Sequence, residues 1–464
     1  MISFIIFSFF LQSPAYSKDF ILVPVAIQIS SKISDGKYSI EEITKILHKN
    51  NFKVGIIADR DLLKWEYGIW PLRNIFKKVI KFNSILEFGP KRYLEEIQKI
   101  NNLYPDLILI AGFESAPFYY WEGSFFKNNL KLIGWHRHII TFGLENPQDY
   151  YNLPVIGNTK ALQKKFKIKD ILKFWPILIF FFALSIKNRL LKISLIIFSL
   201  MFFLNNYPFI ELLFTPYSKN LELFAYQNFI DYANKKGAIT IWAHPEAENI
   251  QKIGNILVKT TEYTNLLFLT KNYTGFAIFY EGYNKVGKIG GLWDDLLKEY
   301  LEKKRKTPIW AFSTLGFDYF GNLEEYLQET KNMVWIEKLE KNVVLDALKR
   351  GRFYCIKGKG SQNFILEEFS IEDKDGRKAI VGEEIFLNSA PIIRIKTKFL
   401  SDNKFPFKIK LIRNGTVIKI WETDNSSDIE YQEDYKIKNC YYRLEIESKD
   451  LLLVTNPIFV DFKL

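Results

Sequence analysis

Several things are scarce in this chain. Only two cysteines, Cys355 and Cys440, occur in 464 residues, which excludes a disulfide framework as the source of stability. Four histidines, His48, His136, His138 and His244, are few for a metalloenzyme of this size. The net charge of +12 comes from 64 basic and 52 acidic residues. Its lysines are scattered among acids without a dense basic block, so the charge reads as a solvated surface and argues against nucleic-acid binding. No uncharged apolar run reaches the roughly 20 residues that a membrane-spanning helix needs.

What is there is strongly apolar. A hydrophobic content of 48%, with 41 Phe and 25 Tyr, excludes a mainly disordered chain, and the length predicts about two or three domains. The first residues carry an apolar run, Ile2 to Leu11, followed by Ala15-Tyr16-Ser17. That predicts a signal peptide over residues 1–17, although the basic start is missing; an uncleaved anchor or a mis-assigned start is the alternative. A second apolar zone, Phe174 to Leu204, is split by Lys187, Asn188, Arg189 and Lys192. With its flanks, residues 171–214, it is expected to form a transmembrane hairpin with a basic cytosolic turn. The alternative is a buried helical hairpin of a soluble domain.

Between these zones, short apolar strands alternate with amphipathic helices. "FKVGIIAD" and "DLILIAGFE" end in carboxylates, and "SIEEITKILHKNN" opens on Ser39 as N-cap. The same grammar resumes after the insertion, with "AITIWAHPEA" ending at His244 and "PIWAFSTLGFDYF" ending near Asp318. Strands separated by helices imply a parallel sheet or barrel. Residues 20–160 and 222–360 are therefore expected to be two parts of one α/β barrel. From residue 364 to 464 only strands are expected, with a hairpin at Asn414-Gly415, and a β-sandwich of about 100 residues is the economical reading.

The strand ends supply Asp35, Asp59, Glu114, His138, His244 and Asp318, with Asp61 beside them. Oxygen and imidazole ligands at one barrel mouth are what a divalent-metal hydrolase requires. In order along the chain, "SDGKYSIEEI", "AGFESAPFYYWEG", "HRHIITFGL", "IDYANKKGAITIWAHPEA", "YTGFAIFYEG", "GLWDDLLKEYL" and "ALKRGRFY" resemble the PHP (polymerase and histidinol phosphatase) superfamily of metal-dependent phosphoesterases. The resemblance runs from Val25 to Tyr354 apart from the insertion. It implies a distorted seven-fold β/α barrel that binds up to three metal ions, and some exported members carry a C-terminal β-sandwich.

The resemblance also implies a partly degenerate metal site. The family's first motif, His-x-His, falls on Gln28 and Ser30; the histidine of Thr-Asp-His falls on Arg60, after Asp59; and that of Asp-x-His falls on Phe320. Asp35, Glu114, His138, His244 and Asp318 are kept. Glutamine and serine are poor zinc ligands, phenylalanine binds no metal, and Arg60 carries a fixed charge where a cation should sit.

Two expectations follow. In one, Arg60 stands in for a lost metal among Asp35, Asp59, Glu114 and Asp318, and the chain is a non-catalytic descendant. In the other, Glu114, His138, His244 and Asp318 hold one zinc or manganese ion for phosphoester hydrolysis, and Arg60 clamps phosphate. A site for an anionic or phosphate-containing ligand, or a scaffold for a protein partner, is a further expectation. An exported chain whose barrel parts share one side of the membrane would face the periplasm or the exterior.

Overall fold

The structure is a computed structural model that describes residues 20–161, 168–208, 213–433 and 439–462. The expected export segment, residues 1–17, lies outside the described residues.

Seven strands build the central sheet. They are β1 (Ile21–Ile29), β2 (Val54–Arg60), β3 (Ile108–Ser115), β4 (Ile139–Phe142), β5 (Ile239–Trp242), β6 (Gly275–Phe279) and β7 (Trp310–Ser313), hydrogen-bonded in that order. Past β7 the chain returns to β1: Phe317 pairs with Ile29, and the Leu315 and Phe317 N–H groups donate to the Ile27 and Gln28 carbonyls. That contact curls the sheet toward a barrel. Strands such as β2, buried along almost their whole length, read as continuous apolar runs because both faces are covered.

The ladder is not wholly parallel. β4 runs antiparallel to both β3 and β5, because the stretch between β3 and β4 contains no crossover α-helix, which a parallel return requires. β4 precedes the insertion and β5 follows it, so both halves of the chain do belong to one sheet. Helix α1 (Ile40–Lys49) starts where Ser39 predicts: its hydroxyl accepts from the Glu42 N–H, and the Glu42 carboxylate accepts from the Ser39 N–H, a reciprocal cap.

The insertion folds as a helical hairpin of α2 (Trp175–Leu184) and α3 (Arg189–Asn205). The Ser199 hydroxyl donates to the Pro176 carbonyl at 2.6 Å, and the Trp175 and Phe202 rings lie 5.3 Å apart. The transmembrane expectation for 171–214 is corrected here: among the described residues no helix is long and apolar enough to cross a membrane. At about 1.5 Å per residue α2 is about 15 Å long, against a hydrocarbon core of about 30 Å. The hairpin is not a buried core element either, since Leu178, Phe181 and Leu190 are 73%, 63% and 79% exposed.

The C-terminal region is β-rich. A four-stranded sheet that includes Phe364–Glu372 and Ile392–Phe399 shares an apolar core with strands Phe407–Arg413 and Cys440–Ser448. The latter strands continue the central sheet through Thr330–Ile336 and Phe353–Lys357. Asn414 and Gly415, both at positive φ, form the tight turn that their sequence predicts. Both cysteines are free and buried.

Along Cys440–Ser448 two of the polar alternates, Arg443 and Glu445, are buried. Arg443 is fully buried, and its guanidinium donates two hydrogen bonds to Asp294, at 2.9 and 2.8 Å, on the barrel's helix Leu292–Leu301. Tyr441 adds a third at 2.7 Å. This pair locks the β-rich region to the barrel. Arg443→Met alone should cost about 3–5 kcal/mol, because it leaves Asp294 buried and uncompensated, whereas adding Asp294→Leu should recover part of the loss. Urea unfolding of the single and double variants measures both.

Candidate functional site

The Ser-Asp-Gly turn after β1 is tied down by Asp59. The Ser31 N–H and hydroxyl donate to its two oxygens at 2.8 and 2.7 Å, and the Ser34 hydroxyl donates at 2.6 Å. Gly36 lets the turn close, since a Cβ there would lie 2.1 Å from the Ser30 carbonyl oxygen. Burial pushes the Asp59 carboxyl up to about 6 despite these hydrogen bonds. Asp59 is thus an anchor of the turn.

Strand alternation places Gln28 and Ser30 side by side, but β1 is irregular between Ile27 and Ile29, and Gln28 sits at φ 70°. The irregularity breaks the two-residue period. Gln28 alone reaches the cluster, donating to Glu114 Oε2 at 3.0 Å, while the Ser30 hydroxyl donates to the Ala58 carbonyl at 3.4 Å.

Glu114 near the end of β3, His138 just before β4 and His244 just after β5 bring three buried ligating atoms together. Glu114 Oε1 lies 2.5 Å from His138 Nδ1 and 3.5 Å from His244 Nε2, and the two imidazole nitrogens are 3.3 Å apart. The outer ring nitrogens fix the tautomers. His138 Nε2 faces the Trp135 carbonyl at 3.1 Å, so it carries the proton. The Tyr263 hydroxyl donates to the Ala243 carbonyl, so His244 Nδ1, 3.2 Å from that hydroxyl, is the donor there. Both inner nitrogens then point lone pairs at a carboxylate oxygen. Histidines that ligate a metal are oriented in this way.

The positive charge facing these lone pairs is Arg60. Its Nη1 is 2.9 Å from Glu114 Oε1 and 3.1 Å from His138 Nδ1, and its Nε donates to Asp35 at 2.9 Å. Burial alone would raise the Glu114 pKa; the Arg60 guanidinium overrides it and holds the group well below the usual carboxylate range. Asp35 behaves likewise, raised by burial and lowered further by Arg60. Burial pushes His138 down to about 4 although Glu114 opposes the shift, so the imidazole is neutral near pH 7.

The donor set matches one ion in part. Bonds of about 2.1 Å in a tetrahedral site put donors about 3.4 Å apart; two of the three separations fit, and the 2.5 Å contact would have to open. Arg60 would also have to withdraw from the inner lone pairs.

Other expected positions lie elsewhere. Asp318 accepts from the Phe320 N–H at 3.2 Å within its own turn, and Phe320 is 75% exposed. His136 stacks edge-on beside His138, with ring centroids 5.9 Å apart, and His48 pairs with Asp106 on the surface. Trp135 and Tyr263 escape sequence reasoning, since a backbone carbonyl and a tyrosine outside the strand ends carry no local signal of their role.

Asp61 is buried beside the site and accepts from the Ser115 hydroxyl at 2.7 Å; burial pushes it up to about 7. Below pH of roughly 4 it is protonated folded and unfolded. As pH rises from there to about 7 the unfolded chain ionises first, so the native state binds more protons and stability falls with pH. Asp61→Asn should therefore match the parent near pH 4 and exceed it by roughly 2–4 kcal/mol at pH 8, as read by urea unfolding.

No protein-family model matches the chain, and no curated protein matches it. It is similar to a solved two-domain protein of Bacteroides vulgatus that contains a predicted PHP-like metal-dependent phosphoesterase, at 10% identity and a TM-score of 0.36, over 92% of this chain and 90% of that one. It is also similar to a protein of Bifidobacterium adolescentis described as a metal-dependent phosphoesterase, at 11% identity and a TM-score of 0.28, over 63% of this chain and 87% of that one. At that level of likeness the reading of the site rests on its own residues, of which Glu114, His138 and His244 form a cluster able to ligate a metal.

Proposed function

We propose that this chain is a membrane-tethered, extracytoplasmic protein of PHP phosphoesterase descent whose metal site has contracted, leaving catalysis impaired or lost. The observation that carries the proposal is Arg60, whose Nη1 faces Glu114 at 2.9 Å and His138 at 3.1 Å. A guanidinium is permanently charged, so it offsets the buried carboxylate without an ion. The hairpin α2/α3, with exposed apolar side chains and long basic ones at its turn that can snorkel, supports the tether. The apolar run before Ala15 supports export; protease accessibility in intact cells tests the side on which the barrel lies.

A second reading is single-metal phosphoester hydrolysis, favoured by the three lone pairs that converge inward. Glu114, His138 and His244 would hold one zinc or manganese ion. The ion would supply an activated water, and Arg60, freed from Glu114, would bind phosphate through its planar fork. A protein partner bound at the mouth without turnover is compatible with the first reading, whereas an anionic ligand there would have to draw Arg60 from Glu114.

Elemental analysis after incubation with zinc and manganese, then gel filtration, separates the two. Under the first reading the parent retains well under one ion per chain, and Arg60→His lowers the stability of the metal-free protein by about 3–5 kcal/mol, because Glu114 loses its counter-charge. About one ion or more per chain in the parent, lost in His244→Ala, would overturn the first reading and direct the work to a phosphoester screen.

A further inference from the structure

The β-hairpin that follows Asp61, strands Lys64–Gly68 and Lys77–Lys81, presents apolar and basic side chains together. Its tip and outer strand expose Trp70 at 74%, Phe76 at 51% and Phe82 at 44%, and among these apolar groups stand the exposed Lys77, Lys78 and Lys81. Large apolar side chains beside cations give a surface that is soluble next to an anionic layer and costly in plain water.

This hairpin is seated on the base of α3. The Asn74 N–H donates to Asn205 Oδ1 at 2.9 Å, the Asn74 amide donates to the Asn205 carbonyl at 2.7 Å, and the Asn205 amide donates to the Pro71 carbonyl at 3.3 Å. Arg73 lies over the Tyr217 ring, 3.8 Å from its centroid, and the Tyr217 hydroxyl accepts from the Gly68 N–H at 2.6 Å. Nearby, the Phe125 N–H reaches the Tyr67 hydroxyl at 3.4 Å in a turn that exposes Phe125 at 60% and Phe126 at 76%. Asn74 and Pro71 thus join the residue 64–81 hairpin to the end of α3, and Tyr67 joins it to the phenylalanine turn.

We propose that this face docks on a bilayer containing anionic lipid, the residue 64–81 hairpin lying at headgroup level and reading negative charge through Lys77, Lys78 and Lys81. The inference rests on the tether reading above and adds to it a lipid class and a second element. The occupant follows from charge complementarity. Lys77 and Lys81 reach Glu66 at 3.6 Å and Glu87 at 3.3 Å, but with Lys64, Arg73 and Lys78 against the single acid Glu66 the segment keeps a positive excess; a leaflet offers acyl chains to Trp70 and Phe76 and phosphates to that excess.

The test uses the full chain and flotation with two vesicle compositions, phosphatidylcholine alone and phosphatidylcholine mixed with phosphatidylglycerol. The parent should bind both and prefer the anionic one, with the preference falling as salt rises. Each basic side chain near an anionic surface contributes about fivefold in partitioning, so Lys78→Glu with Lys81→Glu should reduce the preference at least about tenfold while leaving binding to phosphatidylcholine unchanged. Trp70→Ser, a second exposed variant, should weaken binding to both compositions. Equal binding of parent and charge variant to anionic vesicles would overturn this inference and leave the tether intact. No binding of the parent to either composition would overturn both.

Discussion

A carboxylate that is 3% exposed governs the site. Glu114 near the end of β3 has few ways to remain charged where it lies, because burial alone favours its neutral form. Ionised and unaccompanied, it would cost several kcal/mol. Two groups answer that constraint: Arg60 pairs with it from the neighbouring strand, and Gln28 donates to the second oxygen. The imidazoles add lone pairs to a place already negative, so Arg60 is the residue on which the charge balance depends.

Sheet order explains how these groups meet although the chain separates them widely. Glu114 lies on β3, His138 precedes β4 and His244 follows β5, and the three strands are consecutive in space. The insertion lies between β4 and β5, which pair directly in an antiparallel ladder. A connection between two adjacent strands can be lengthened at the surface without displacing either. The helical hairpin therefore adds a projecting apolar element while the cluster stays assembled.

Much of this was legible in the residues, and the exceptions share a cause. Alternating strands and helices, the Ser39 cap and the Asn414-Gly415 turn are set by local chemistry, and each formed as its residues specify. The convergence of Glu114, His138 and His244 followed from their places at strand ends. What was not legible depends on partners distant in sequence. Gln28 and Ser30 parted because β1 is irregular, a property of its pairing with β2. Asp59 turned to the Ser31–Ser34 loop and away from the cluster. Arg443, a polar alternate of Cys440–Ser448 that by pattern belongs in water, became a buried contact with the barrel because Asp294 lies opposite. The apolar zone predicted a crossing by composition, yet α2 is only 10 residues long.

One guanidinium cannot do two things at once. While Arg60 balances Glu114 and Asp35, its Nε and Nη1 are engaged, so it cannot offer its full fork to a phosphate. An anion entering the mouth would have to draw Arg60 away and expose the charge of Glu114, so anion binding by the metal-free chain is opposed by the very contact that stabilises the fold. A cation accepted by the three inward lone pairs removes that opposition, because it takes over the balance and releases the fork. Cation and anion affinities at such a site would therefore be coupled, each raising the other by the same factor. Arg60 thus makes the occupancy of the site conditional on where a single side chain is held.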